Sequence, residues 1–264
     1  MQNRIINGLS KSGLASLVML LSFLPGATST ADSLNPTPPT FVHLFEWPWA
    51  DIAAECEQFL GPNGFGAVQI SPPQEHIVLP DWGYPWWQRY QPVSYRLESR
   101  SGTRSELIDM VQRCNQVGVK IYADAVINHM AGMESGRGSA GTEFTKYSYP
   151  GLYKLEDFNT CQQPVVNYSD ATNVTQCELV GLADLDTSSE RVQATLVNYL
   201  SDLASVGIQG FRIDAAKHIQ AEELGQILTQ FRARQGDDFY IYQEVIDPGT
   251  EAIRKQEYYD NGNV

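Results

Sequence analysis

The sequence predicts an α/β fold organised on a parallel β-sheet, and three observations predict it. Five short segments, 41–45, 66–70, 119–127, 210–213 and 239–245, are apolar enough to be strands buried on both faces. Amphipathic helical patterns separate most of them. Two of those patterns end on a glycine, Gly118 and Gly207, with a strand starting at once, so that strand, helix, glycine and strand form a repeating unit.

The elements follow in chain order. Residues 1–31 stand apart: Arg4 and Lys11 precede an apolar run over 14–24, Pro25 and Gly26 break it, and Ser29-Thr30-Ala31 offers a cleavage point. This pattern predicts a secretory signal peptide and a secreted, extracellular protein. The run is short for a membrane span of roughly 20 residues, and no membrane association is expected. Residues 32–39 read as an extended linker, and the folded part begins near Thr40. A helix bearing Cys56 follows strand one. Thr103-Arg104-Ser105-Glu106 is a capping-box pattern that opens a helix, with Leu107, Met110, Val111 and Cys114 on one face. Thr187-Ser188-Ser189-Glu190 has the same pattern, before Val192, Leu196, Tyr199 and Leu203. Between them, residues 131–186 are rich in Gly, Ser, Thr, Asn and Tyr, without a clear helix. We read them as a small inserted domain between strand three and its helix, dividing the barrel or sheet into a first part, 40–130, and a continuation, 187–264.

The chain has four cysteines, Cys56, Cys114, Cys161 and Cys177. An even count in an exported protein predicts two disulfides, with three possible connectivities. Cys56–Cys114 and Cys161–Cys177 are preferred because each pair lies within one region. Asn167 and Asn173 head glycosylation sequons. The net charge of −13 argues against nucleic acid as a partner, because its phosphates would be repelled. It does not disfavour a neutral ligand such as a sugar.

In a parallel α/β barrel or sheet, chemistry gathers at the carboxyl ends of the strands. Strand alternation places Asp124, Val126 and Asn128 on one face, Arg212 and Asp214 on one face, and Tyr242 and Glu244 on one face. A structural ion pair explains any one of these carboxylates, but explains three at one rim poorly. Paired carboxylates facing a cleft serve glycoside hydrolysis: one attacks or stabilises the sugar carbon, the other protonates the departing oxygen. Arg212 is expected to lower the pKa of Asp214, as suits a nucleophile. The apolar, aromatic run before Glu244 is expected to raise that of Glu244, as suits an acid. After strand two, Pro85-Trp86-Trp87-Gln88-Arg89-Tyr90-Gln91-Pro92 supplies aromatic faces for stacking on sugar rings.

Four stretches taken together, PWWQRYQPVSY, DAVINHM, GFRIDAAKH and YQEVID, resemble the alpha-amylase family of glycoside hydrolases, in particular animal-type secreted members and their bacterial relatives. The resemblance implies a (β/α)₈ TIM barrel with a small domain inserted after strand three. It also implies retaining endo-hydrolysis of α-1,4-glucosidic bonds in starch, glycogen and related polysaccharides or oligosaccharides by a monomer. It assigns Asp214 as nucleophile, Glu244 as acid/base and Asp124 as a supporting aspartate. Trp86, Trp87, Tyr90 and Gln91 match a substrate wall, and His129, Arg212, Lys217 and His218 match further substrate-site positions. Calcium is implied at the Asn128 side chain, the Asp184 carboxylate and the backbone carbonyls of Thr175 and His218, all oxygen ligands suited to a hard cation. Chloride is implied at Arg212.

The chain departs from the family in several places. Thr175 stands where animal members often have arginine, and Glu98 where they often have a further cysteine. Five strands are counted instead of eight, and the family's third catalytic carboxylate is not found. The expectation is therefore an N-terminal fragment of a longer gene product, inactive when taken alone. Alternative readings are a glucan transferase of the same family, a non-catalytic secreted glucan-binding homologue, or an unrelated α/β barrel with structural charges at its strand ends.

Overall fold

A computed structural model describes residues 40–259. The predicted signal peptide and linker lie outside the described residues. Five strands form one parallel sheet in chain order: β1 (Phe41–Leu44), β2 (Ala67–Ile70), β3 (Lys120–Ala125), β4 (Gly210–Ile213) and β5 (Tyr240–Gln243). The helices are α1 (Trp49–Glu55), α2 (Arg104–Gln116), α3 (Glu190–Ser205) and α4 (Ala221–Gln235). α1 runs on through a wider π-type segment, Cys56–Leu60.

Strand β3 stops at Ala125, two residues before the apolar run ends. Beyond it the chain leaves the sheet, and His129–Met130 pairs antiparallel with Ala183–Asp184, closing the base of the insertion.

Local signals and tertiary packing agree at α2. Glu106 accepts from the Thr103 backbone N–H at 2.7 Å while its own N–H donates to the Thr103 hydroxyl at 3.4 Å. An N-cap of this kind contributes about 0.5–2 kcal/mol. At α3 the expected capping box does not form. Ser189 is the N-cap and its side chain makes no capping bond. Thr187 instead donates to Glu223 of α4 at 2.5 Å, a tertiary acceptor that takes the hydroxyl away from the helix end. Gly118 and Gly207 hold φ of 80° and 98°, turning the ends of α2 and α3 directly into strands.

The outer core lies between sheet and helices. Ile52, Ala53 and Cys56 of the first helical segment face Leu107, Met110, Val111 and Cys114 of α2, all fully buried, and a disulfide joins Cys56 to Cys114. Phe211 of β4 packs on Phe231 of α4 and on Phe239, with ring centroids 5.4 and 5.9 Å away. Each such burial contributes about 1.5–3 kcal/mol. On the inner face, Phe41 of β1 reaches Tyr242 of β5 at 5.6 Å, and the Tyr242 hydroxyl donates to Gln69 of β2 at 2.6 Å. The sheet is therefore curled about its inner side chains.

The insertion contains a hairpin, Ser135–Arg137 with Glu143–Thr145, and a pairing of Cys161–Pro164 with Cys177–Glu178 stapled by the Cys161–Cys177 disulfide. It also contains a helix, Ala171–Gln176, where the sequence offers no clear one. Six residues are too few for a periodic signal. The helix is held by its cap, since Asp170 accepts from the N–H groups of Thr172 and Asn173 at 3.0 and 3.4 Å.

Candidate active site

The register of the sheet builds the site. Arg212 lies opposite Asp124 of β3 on one side and Tyr242 of β5 on the other. The ladder continues past the strands, with the Asp214 N–H donating to Ala125 O and the Glu244 N–H to Ile213 O, both at 3.0 Å. Three strand ends thus deliver Asp124, Asp214 and Glu244 to one place, and Arg212 sits among them. Its Nη1 donates to Asp124 Oδ1 at 2.6 Å and to Asp214 Oδ1 at 2.9 Å, while Nη2 meets Glu244 Oε1 at 2.8 Å. The Tyr90 hydroxyl donates to the other oxygen of Asp124 at 3.0 Å. Charge-assisted bonds of this kind fix side-chain orientation.

The electrostatics correct one expectation. The carboxyl of Asp214 is held above its ordinary range, because burial outweighs the pull of Arg212 and Glu244 adds repulsion. Asp124, completely buried, is pushed up by burial and by Asp214, with Arg212 and Tyr90 opposing. The two share one cation, so they titrate as a pair. The apolar setting expected around Glu244 is not found. Its side chain is 34% exposed and faces Arg212 and the Ala215 N–H, which donates to Oε2 at 2.9 Å.

A cleft of about 650 Å³ opens over this cluster. Trp86, Trp87, Tyr90, Gln91 and His129 line it together with Arg212, Asp214 and Glu244. Trp86 and Tyr90 pack edge to face at 6.0 Å. His129 is buried and its Nε2 bonds to the Tyr90 carbonyl at 2.9 Å; burial lowers it to about 4, so its ring is neutral at physiological pH. Gln91 spends its side-chain oxygen on the Gly132 N–H at 3.1 Å.

Lys217 and His218 do not line this cleft. They face an adjoining space of about 360 Å³ that shares Glu244 and Ala215 with it. Lys217 Nζ donates to Ile246 O at 2.7 Å and pairs with Glu251, and His218 Nδ1 is bonded to Val174 O at 2.9 Å.

Sequence reasoning missed Ala215, whose left-handed backbone (φ 49°) aims its N–H at Glu244. It also missed the insertion's segment Leu179–Leu182, which forms the far wall of the cleft. An unusual φ at alanine leaves no sequence signal, and a wall formed by a loop from another region depends on tertiary contact.

Asp184 is buried in the insertion's base, where it accepts from Asn128 Nδ2 at 3.2 Å and Asn159 Nδ2 at 2.8 Å. Among the described residues no ion pair reaches it, and burial raises its carboxyl well above the ordinary range.

A curled parallel sheet with a carboxylate cluster and an aromatic-walled cleft at its carboxyl rim defines a catalytic domain of the β/α-barrel class. Residues 70–238 match the family model for the alpha-amylase catalytic domain. The chain is 51% identical over 249 residues to an alpha-amylase of Thermomonospora curvata, covering 90% of this chain and 41% of that protein. It is 50% identical over 236 residues to an alpha-amylase of Tribolium castaneum, covering 85% and 48%. Its fold superposes on wild-type alpha-amylase I of Eisenia fetida with a TM-score of 0.79 and 43% identity, over 83% of this chain and 47% of that one. A variant of the Eisenia fetida enzyme has been solved in complex with maltohexaose. The chain belongs to the alpha-amylase family of glycoside hydrolases, and it spans about half the length of the curated relatives it matches.

Proposed function

We propose that this chain supplies the nucleophile, the acid/base and one substrate wall of a secreted alpha-amylase that cleaves internal α-1,4-glucosidic bonds with retention of configuration. The observation that carries the reading is the Arg212 bridge, which joins Asp214 and Glu244, lining an aromatic-walled cleft, to the fully buried Asp124. In this reading the ionised Asp214 attacks the anomeric carbon as the glycosidic bond breaks. Glu244 donates its proton to the leaving oxygen. Glu244 then takes a proton from water, whose oxygen displaces Asp214 and regenerates both groups. Tyr90 and Arg212 hold Asp124, and Asp124 in turn orients Arg212. Trp86 and Trp87 receive the apolar faces of glucose rings, and Gln91 and His129 keep the Tyr90 segment in place. Lys217 and His218 serve the part of the substrate in the adjoining space.

The setting of Asp184 suits calcium. Among the described residues its buried carboxylate meets two amide donors and no cation, and the Asn128 side chain and the carbonyls of Thr175 and His218 are the further oxygen ligands that the family resemblance implies for a hard cation. When bound, the ion would neutralise Asp184 and tie the insertion to the sheet. Chloride at Arg212 fits less well. Both terminal nitrogens already meet carboxylates, and the described residues give the cluster no second cation in ion-pair contact.

The test is Asp214→Asn and Glu244→Gln in the full gene product, assayed on starch with retained folding checked by circular dichroism. Each should lose turnover by at least about 10³-fold, as removal of a residue acting in the transition state does. Near-normal rates in either variant refute the assignment.

A further inference from the structure

The turn before the aromatic wall carries a tryptophan that the site does not use. Trp82 is 63% exposed and lies outside the lining of the cleft. Its ring stands edge to face against Trp87, with centroids 5.5 Å apart and planes at 86°. The aromatic surface therefore continues one ring beyond the cleft, turned through almost a right angle.

The support beneath Trp82 is rigid. Pro80 fixes the start of the turn Pro80–Trp82, and Gly83 ends it with φ of 72°. The N–H groups of Trp82 and Tyr84 both donate to the Leu79 carbonyl, at 3.2 and 3.1 Å. The Leu79 N–H is bound to the Gln88 side chain at 3.1 Å, and the Tyr84 carbonyl accepts from Arg100 at 2.8 Å. An indole presented on so constrained a turn is preorganised, so a ligand meets it without the entropy cost of ordering a loop. Asp81 beside it is also exposed and has no ion-pair partner among the described residues. A flat apolar partner would leave that carboxylate desolvated, whereas a sugar places hydroxyls beside it while its C–H face covers the indole.

We propose that Trp82 is an outer glucose-binding platform, occupied by a further unit of the same α-glucan chain held in the cleft, with Asp81 accepting from its hydroxyls. This inference rests on the amylase reading above. An α-1,4-linked chain turns as it extends, so a ring beyond Trp87 meets a face rotated relative to it, as Trp82 provides.

The experiment compares the full gene product with Trp82→Ala and Trp82→Phe on maltotriose and maltoheptaose. The ratio of kcat/KM for the long substrate to that for the short one should fall about fivefold in Trp82→Ala, through KM, as expected for the loss of one aromatic face. Trp82→Phe should restore most of the ratio. An unchanged ratio in Trp82→Ala overturns the platform, whether because both substrates fall together through disturbance of Trp87 or because neither falls. A wild-type protein inactive on every α-glucan overturns the amylase reading and this inference with it. An active wild type with an unchanged ratio overturns this inference alone.

Discussion

Replacing Arg212 with glutamine should shift the pH dependence of catalysis by an amount the structure lets us work out. Arg212 contacts three carboxylates at 2.6, 2.9 and 2.8 Å, and burial holds Asp214 above its ordinary range even with that cation in place. A cation this close lowers a carboxyl by about 1–3 units, so its loss raises Asp214 further and leaves much less of it ionised at pH 7. The nucleophile needs the ionised form. kcat/KM on soluble starch should therefore fall about tenfold at pH 7, with the acid limb moved up by about 1–3 units. Stability follows the same sign. Asp124 and Asp214 are both held above the unfolded carboxyl range, so their contribution is fully present below about pH 4 and is lost as pH rises through about 6 to 7. In Arg212→Gln that loss should deepen, lowering the melting midpoint at pH 8 more than at pH 5. Arg212→Lys keeps the charge and should shift the limb less. An acid limb of Arg212→Gln that stays where it is in the wild type, or a rate depressed equally at every pH, would refute this role of Arg212.

Two further outcomes are expected of the full gene product. Arg89 is fully buried under the aromatic wall, donating to Ser101 at 2.7 Å, Pro72 O at 3.0 Å, and Glu46 and Ser99 at 3.2 Å. Arg89→Met should cost about 1–3 kcal/mol in denaturant unfolding, because Pro72 O, Ser99 and Ser101 lose a buried donor while the partly exposed Glu46 keeps Arg100 at 3.5 Å; no measurable loss would contradict this. Calcium should raise the melting midpoint and a chelator lower it, and Asp184→Asn should remove most of that response. An equal calcium response in the variant would show that the ion binds elsewhere.

Much of this architecture was legible because it rests on local rules. The apolar strands, the Thr103–Glu106 cap and the glycines closing α2 and α3 reflect periodicity, capping and backbone sterics, which act over a few residues. The motifs from PWWQRYQPVSY to YQEVID carried the family in the same way. Where tertiary partners compete, local reading fails. Thr187 gave up its cap to Glu223 of α4, the chain left the sheet after Ala125 and paired His129 with Asp184, and Lys217 turned to Glu251.

The sequence by itself determined which residues share a rim, because alternation along a strand fixes the face of Asp124, Arg212, Asp214 and Glu244. Only the tertiary structure decided their charge state and surroundings. Desolvation depends on everything packed around a group, and it outweighs Arg212 at Asp214, contrary to what the adjacent residues suggest. Contact between distant segments likewise brought the Leu179–Leu182 loop over the cleft and set Trp82 against Trp87, because side chains meet according to how elements pack and not by their separation along the chain.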